Sequence, residues 1–262
     1  MSLNEKDIET ITTQFYEAER LSLRVPPLPE RYPGIQLDDV YRCQDLLVKR
    51  KEAKGFQVCG VKVGSTNPKV QAHFGIKEPV CDRLFRQTCW EGGATVSTKS
   101  WMAPKLECEI AFRIARPLAG PGVTPESALA AVSGVMGAFE IIDPRSAKPD
   151  FGPIDLVADN TVNAGCVVGT EVPITRDLDL SKVSAAFSRN GGTPVKGTGA
   201  NVLGSPLNVL VWLANWLGAH GRSLNPGDVV LTGSLVDIFP IEAGDRFEAT
   251  YSTLGRLTVS FN

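Results

Sequence analysis

Histidine is almost missing from this chain: His73 and His220 are the only two among 262 residues. A nucleophile–histidine relay therefore has two candidates, and neither stands near a G-x-S-x-G stretch. The six cysteines, Cys43, Cys59, Cys81, Cys89, Cys108 and Cys166, include no C-x-x-C pair and no histidine at zinc-ligand spacing. They read as reduced thiols, mostly filling core. Any metal chemistry must then rest on oxygen ligands. No basic block interrupts the balance of 27 Lys+Arg against 29 Asp+Glu, net charge -2, which argues against nucleic acid as a partner. The longest apolar run, "LNVLVWLANWLGAH", is short for a bilayer span, and the opening "MSLNEKDIETITTQFYEAER" lacks the apolar centre of a signal peptide. These absences predict a cytoplasmic protein with no membrane partner. "GTGANVLG" fits no glycine fingerprint after a strand, so a nucleotide fold is unsupported.

What is present is a core of ordinary size: 43% hydrophobic residues suffice for one large domain, or one domain with an appendage. Apolar residues at three-and-four spacing predict helices over residues 5–22 and 37–54, joined by the proline-rich "RVPPLPERYPGI". From Gly60 the pattern shortens into strand-like runs, "GVKVGS", "LECEIAFRI", "FEIIDP" and "AGCVVGTEV". Thr124-Pro125-Glu126 predicts a helix start in "TPESALAAVSGVM", and Ser205-Pro206 another in "SPLNVLVWLANWLGAHG". The tail alternates through "DVVLTGSL", "DRFEATYS" and "RLTVSF", a hairpin-like finish turning at Leu254-Gly255. The expected organisation is α+β: a helical segment over residues 1–58 and a mixed β catalytic domain over residues 59–262, packed as one compact unit.

If Lys105 to Phe112 is a strand, Leu106, Cys108, Ile110 and Phe112 share one face, and Lys105, Glu107, Glu109 and Ala111 the other. The two glutamates would then lie roughly 6 to 7 Å apart at Cα, close enough to reach one cation. On spacing alone, such a pair is more often the wet side of a half-buried strand. Glu140 sharpens the question, because it interrupts the apolar run "GAFEIIDPR", where a carboxylate must be paired or metal-bound. Three glutamates without cysteine or histidine describe a hard-ion site of the Mg2+ or Mn2+ kind. Lys62, between valines in "GVKVGST", is either an outward lysine or a desolvated amine whose lowered pKa suits proton transfer. "VVLTGSL", Val229 to Leu235, is either an ordinary turn or a set of donors for a carboxylate.

The ordered set "GVKVGSTNPKVQAHFGIKEP", "PKLECEIAF", "GAFEIIDPR", "VADN", "LGSPLNVLVWLAN" and "GDVVLTGSL" resembles the 2-hydroxypenta-2,4-dienoate (2-keto-4-pentenoate) hydratase and 4-oxalocrotonate decarboxylase family of the fumarylacetoacetate hydrolase superfamily. The resemblance runs from about Tyr41 to the C-terminus. It implies N-terminal helices packed on a mixed β roll, a homo-oligomer extending in some cases to a complex with a pathway neighbour, and Mg2+ or Mn2+ on Glu107, Glu109 and Glu140. It also implies Lys62 as a proton-handling group beside a small 2-oxo acid substrate, with Ser234 nearby. Hydratases similar to this chain carry an aspartate just after the proline of "EPVCDRLF"; here Val80 stands there and Asp82 follows two residues later. "TVNAG" likewise lacks a serine-containing segment typical of hydratases. The implied activity is a metal-dependent lyase, a hydratase ahead of a decarboxylase, with a catalytically silent metal-binding partner of an active relative as a third reading. A carbon–carbon hydrolase is disfavoured, since His73 lacks the spacing of a lid histidine–glutamate pair.

Overall fold

The computed structural model describes residues 3–175 and 178–262. Seven helices appear among them. Helix α1 (Glu5–Leu21) is capped by the Asn4 side chain and closes at a left-handed Ser22. The short α2 (Leu28–Arg31) and the long α3 (Leu37–Ala53) follow, the latter opened by a Gln36–Asp39 capping box. Ile8, Ile11 and Phe15 of α1 and Val40 and Cys43 of α3 are buried together with Leu28, Val80, Ile142 and Val157. The helical segment therefore shares its apolar cluster with the strands that carry the candidate site. Further along are α4 (Pro68–Phe74), α5 (Pro125–Ala130), α6 (Pro153–Ala158) and α7 (Pro206–Ala219). The helix predicted to begin at Thr124 stops after six residues, and the valines and glycines that follow join a strand. Residues 199–219 are long and apolar enough to cross a membrane by length and composition. Here Val209, Leu210, Leu213, Ala214 and Leu217 of α7 lie buried in the main core.

The strands, in chain order, are β1 (Val58–Gly64), β2 (Val80–Phe85), β3 (Cys89–Glu91), β4 (Thr95–Val96), β5 (Lys105–Ile114), β6 (Val132–Ile142) and β7 (Asn163–Val168). They continue as β8 (Val172–Pro173), β9 (Ser184–Arg189), β10 (Val195–Thr198), β11 (Val229–Ser234), β12 (Phe239–Pro240), β13 (Arg246–Tyr251) and β14 (Gly255–Phe261). The larger sheet runs β2-β1-β11-β5-β6-β7-β3, with β12 and β8 at its margins, and the smaller runs β10-β9-β13-β14-β4. Both sheets are mixed: β1 pairs parallel with β11, β3 with β7 and β14 with β4, while the other neighbours are antiparallel. The expected hairpin finish is the β13–β14 pair.

The two ends of the larger sheet, β2 and β3, are consecutive in the chain, separated only by the turn Arg86–Thr88, and β2 also touches β7. The sheet thus rolls round on itself, as expected of a β roll. Its register sorts the inward side chains. Glu107, Glu109, Ala111 and Arg113 of β5 lie opposite Glu140, Ala138, Met136 and Gly134 of β6. On the other side Lys62 pairs with both Leu231 and Asp82. Cys59, Leu84, Ala111, Met136, Ala138, Cys166 and Leu231 form an apolar plug in the roll. The charged residues occupy the next layer along the same strands. The opposite face of β5, Leu106, Cys108, Ile110 and Phe112, packs into the main core between roll, smaller sheet and α7. All six cysteines are free thiols, five of them buried.

Candidate active site

Pairing across β5 and β6 turns a sequence spacing into convergence. Glu107 is the direct partner of Glu140, and Glu109 stands two residues along β5 on the same face. One carboxylate oxygen from each lies within 4.8 Å of the others; Glu109 and Glu140 are buried and Glu107 is partly exposed. The E-x-E pair is thus the inside of a roll rather than a wet strand surface.

Three carboxylates so placed repel one another and are largely withdrawn from solvent, and the surrounding chain answers only part of that charge. Lys62 Nζ lies 2.9 Å from Glu140 Oε1 and donates to the Thr161 carbonyl at 2.9 Å. Asn163 Nδ2 donates to the same Glu140 oxygen at 2.9 Å, and the Gly233 N–H to Glu109 Oε2 at 2.7 Å. Glu109 Oε1 is buried without any hydrogen-bond partner. An all-oxygen donor set with an orphaned buried oxygen fits a hard divalent cation. Burial first, and then the neighbouring Glu140 charge, push the Glu107 carboxyl up to about 7, against the pull of Lys62. Glu109 is held well above the ordinary carboxylate range by burial and by the Glu140 and Glu107 charges.

Lys62 departs from expectation. Burial alone would push its pKa down, but the Glu140, Glu107 and Glu109 carboxylates outweigh it and hold the amine above its ordinary value. It is buried, the second of the two readings its sequence allowed, yet the surrounding carboxylates keep it as an ammonium rather than a lowered-pKa base. Its second acceptor comes from a turn in which Asn160, Thr161 and Val162 all have positive φ, 49°, 46° and 55°. Such conformations cost about 1–2 kcal/mol per non-glycine residue, so the surroundings must enforce them. Enforcement is visible beneath the turn: buried Arg145 binds the Asp159 side chain at 2.6 Å and its carbonyl at 2.7 Å, and the Asp143 N–H donates to the Val162 carbonyl at 2.8 Å.

Val80 is buried at 2% exposure and pairs with Gly64. A Cβ at Gly64 would meet the Thr161 methyl at 3.0 Å, Val80 Cγ2 at 3.5 Å and Lys62 Nζ at 3.7 Å, so these four residues form one corner. Asp82 shares Val80's face but lies deeper, opposite Lys62. Ser234 is the register partner of Glu109, but its hydroxyl donates to the Val236 carbonyl at 2.9 Å. The donor aimed into the cluster from this segment is instead the Gly233 N–H. At φ 100°, with Thr66 Oγ1 2.0 Å from any added Cβ, only glycine fits there. The sequence offered "VVLTGSL" as a set of donors for a carboxylate, and the Gly233 N–H is one, held on Glu109 rather than on a ligand; Thr161 and Asn163 were not found as partners of the site, since nothing local in "DNTVN" announces three consecutive left-handed residues. His73 lies in α4, and His220 stacks on Trp216 with ring centroids 3.9 Å apart, away from the carboxylates in chain and in contacts.

The fumarylacetoacetate (FAA) hydrolase C-terminal family matches residues 59–262. Among curated proteins, the chain is 36% identical over 256 residues to 2-hydroxyhexa-2,4-dienoate hydratase of Comamonas testosteroni, covering 97% of each. It is 32% identical over 237 residues to 4-oxalocrotonate decarboxylase of a Pseudomonas species, covering 90% of each. Among solved structures, 4-oxalocrotonate decarboxylase from Pseudomonas putida G7, complexed with magnesium and adipate, superposes with a TM-score of 0.95 at 28% identity, over 100% of this chain and 99% of that one. By fold, by the stretch matched and by full-length relatives, this chain belongs to the fumarylacetoacetate hydrolase family.

Proposed function

We propose that this chain is a divalent-metal-dependent lyase of small 2-oxo or 2-hydroxydienoic acids, hydrating 2-hydroxypenta-2,4-dienoate-like substrates to 4-hydroxy-2-oxo acids. The observation that carries the reading is the convergence of Glu107, Glu109 and Glu140, with the Lys62 ammonium on Glu140. Mg2+ or Mn2+ is the ion proposed for these three carboxylates; when bound, it supplies a Lewis acid for the carboxylate and C2 oxygen of the substrate.

The remaining work falls to the chain. Gly233 N–H and Asn163 Nδ2 fix the orientation of Glu109 and Glu140. Lys62 Nζ holds a proton beside the carboxylates and is the group placed to give it to, or take it from, a substrate carbon. The corner formed by Val80, Gly64 and Thr161 keeps that amine away from bulk water. Ser234, beside Glu109, has hydroxyl lone pairs left to accept from a ligand. The free thiols suit a reducing cytoplasmic compartment.

Decarboxylation of a 4-oxalocrotonate-type acid is the second reading. Val80 favours it, because an apolar wall at that corner provides no carboxylate to guide an attacking water. The test supplies purified protein and Mg2+ or Mn2+ with 2-hydroxypenta-2,4-dienoate and, separately, 2-oxo-3-hexenedioate, following diene absorbance and CO2. Loss of the diene without CO2 supports hydration, and CO2 from the second acid supports decarboxylation. Turnover of neither overturns both.

A further inference from the structure

Lys62 and Asp82 face each other directly across the antiparallel β1–β2 pair, with both side chains turned into the roll. Asp82 is wholly buried. Its Oδ1 accepts the N–H of Arg83 at 2.7 Å, but Oδ2 has no hydrogen-bond partner. Among the described residues, no cation lies within ion-pair distance of it, and the Lys62 amine opposite is occupied by Glu140 and the Thr161 carbonyl. A buried carboxylate oxygen left unmatched is costly and calls for a physical reason.

The carboxylate cluster supplies that other arrangement. Lys62 Nζ leans on one of the three glutamates that would hold the divalent ion, so ion and ammonium compete for the same carboxylate and repel one another at close range. Residues directly opposite on antiparallel strands have Cβ atoms about 4.5–5.5 Å apart, within the sweep of a lysine stem. We propose that Asp82 is the second resting place of the Lys62 ammonium: occupancy of Glu107, Glu109 and Glu140 by a divalent cation moves Nζ from Glu140 onto Asp82 Oδ2. Asp82 is then a positioning residue, setting where the amine stands when the ion is in place. This rests on the divalent-ion part of the reading above and not on any substrate.

Manganese binding without substrate tests it. Free Mn2+ is counted by electron paramagnetic resonance in titrations of the wild type, Asp82→Asn, Lys62→Met and the double variant. Asp82→Asn is expected to weaken Mn2+ on the order of ten-fold when Lys62 is present, and by less than about two-fold in the Lys62→Met background. Equal weakening in both backgrounds means that Asp82 acts only through its charge, and no weakening means that it does not act; either overturns the proposal. Should a variant fail to fold, a structure of the wild type with Mn2+ decides. Nζ within hydrogen-bonding distance of Asp82 Oδ2 and released from Glu140 supports the movement, whereas Nζ still on Glu140 overturns it. Absence of Mn2+ binding by the wild type overturns the metal reading as well; binding without coupling overturns this inference alone.

Discussion

Lys62 Nζ and Glu140 Oε1 stand 2.9 Å apart with both side chains all but sealed from solvent, at 4% and 1% exposure. The pair explains how the roll tolerates three inward glutamates before any ion arrives. Removing one member of a buried pair leaves the other charge uncompensated, at about 3–5 kcal/mol. Lys62→Met should therefore lower the melting temperature of the metal-free protein by roughly 10 °C for a chain of this size. Mn2+ should restore much of that loss, because the ion takes over the neutralising role. Calorimetry with and without the ion checks both halves, and an unchanged metal-free transition would show that the ammonium does not offset the carboxylates.

The pH dependence follows from Glu107, whose carboxyl is pushed from an ordinary 4.5 up to about 7 by burial and by Glu140. A folded-state value above the unfolded one means that protonation stabilises the fold. That contribution is complete below about 4.5 and is lost as the pH rises through about 7. A divalent ion competes with the proton for the same oxygen. The upward shift in melting temperature given by Mn2+ should then grow between pH 5 and pH 8, with protons released on binding at the acid end. Thermal melts across that range measure it, and a shift independent of pH would contradict the protonated Glu107.

The fold and site were unequally legible in the sequence. Alternation in "KLECEIAF" sorted β5 correctly into two faces, and Pro125 and Pro206 marked their helix starts. Alternation does not say which face of a sheet is solvated once the sheet closes, so the Glu107–Glu109 face by itself read first for water, and for metal only once Glu140 was set beside it. Closure depends on Arg86–Thr88 carrying the chain from one sheet end to the other, a long-range relation with no periodic trace. The same limit hid the charge state of Lys62: its valine neighbours left an outward and a buried lysine both open, and Glu140 reaches it from 78 residues away. At Thr161 the local preference of a β-branched residue even opposes the conformation adopted.

The smaller sheet supports the site through Tyr251, whose hydroxyl donates to the Glu109 carbonyl at 2.8 Å while its ring fills the space above Gly137. Tyr251→Phe removes the hydroxyl's contacts with the Glu109 and Ala138 carbonyls and with Cys108 Sγ, and should cost about 1–2 kcal/mol in urea unfolding, with Mn2+ binding retained. Gly137→Ala should be far worse, because its Cβ would come 2.3 Å from the ring. Comparing the urea midpoints ranks the two, and a tolerated Gly137→Ala would mean that the ring can withdraw without penalty.

Val80 is where the two lyase readings diverge. Its side chain contributes carbon alone to the corner around Lys62 and supplies no carboxylate to guide a water there. Val80→Asp places a carboxylate two residues along β2 from Asp82, on the same face and alongside the Gly64–Thr161 contact. The ammonium then gains a second carboxylate beside it, one that can hold and deprotonate water. Hydrated product should rise relative to CO2 by on the order of ten-fold, a difference of about 1.4 kcal/mol between the two barriers. Product ratios from parallel incubations with the dienoate and the hexenedioate measure the change. An unaltered ratio in a folded, Mn2+-binding variant would move the choice between adding water and losing CO2 to another wall of the roll.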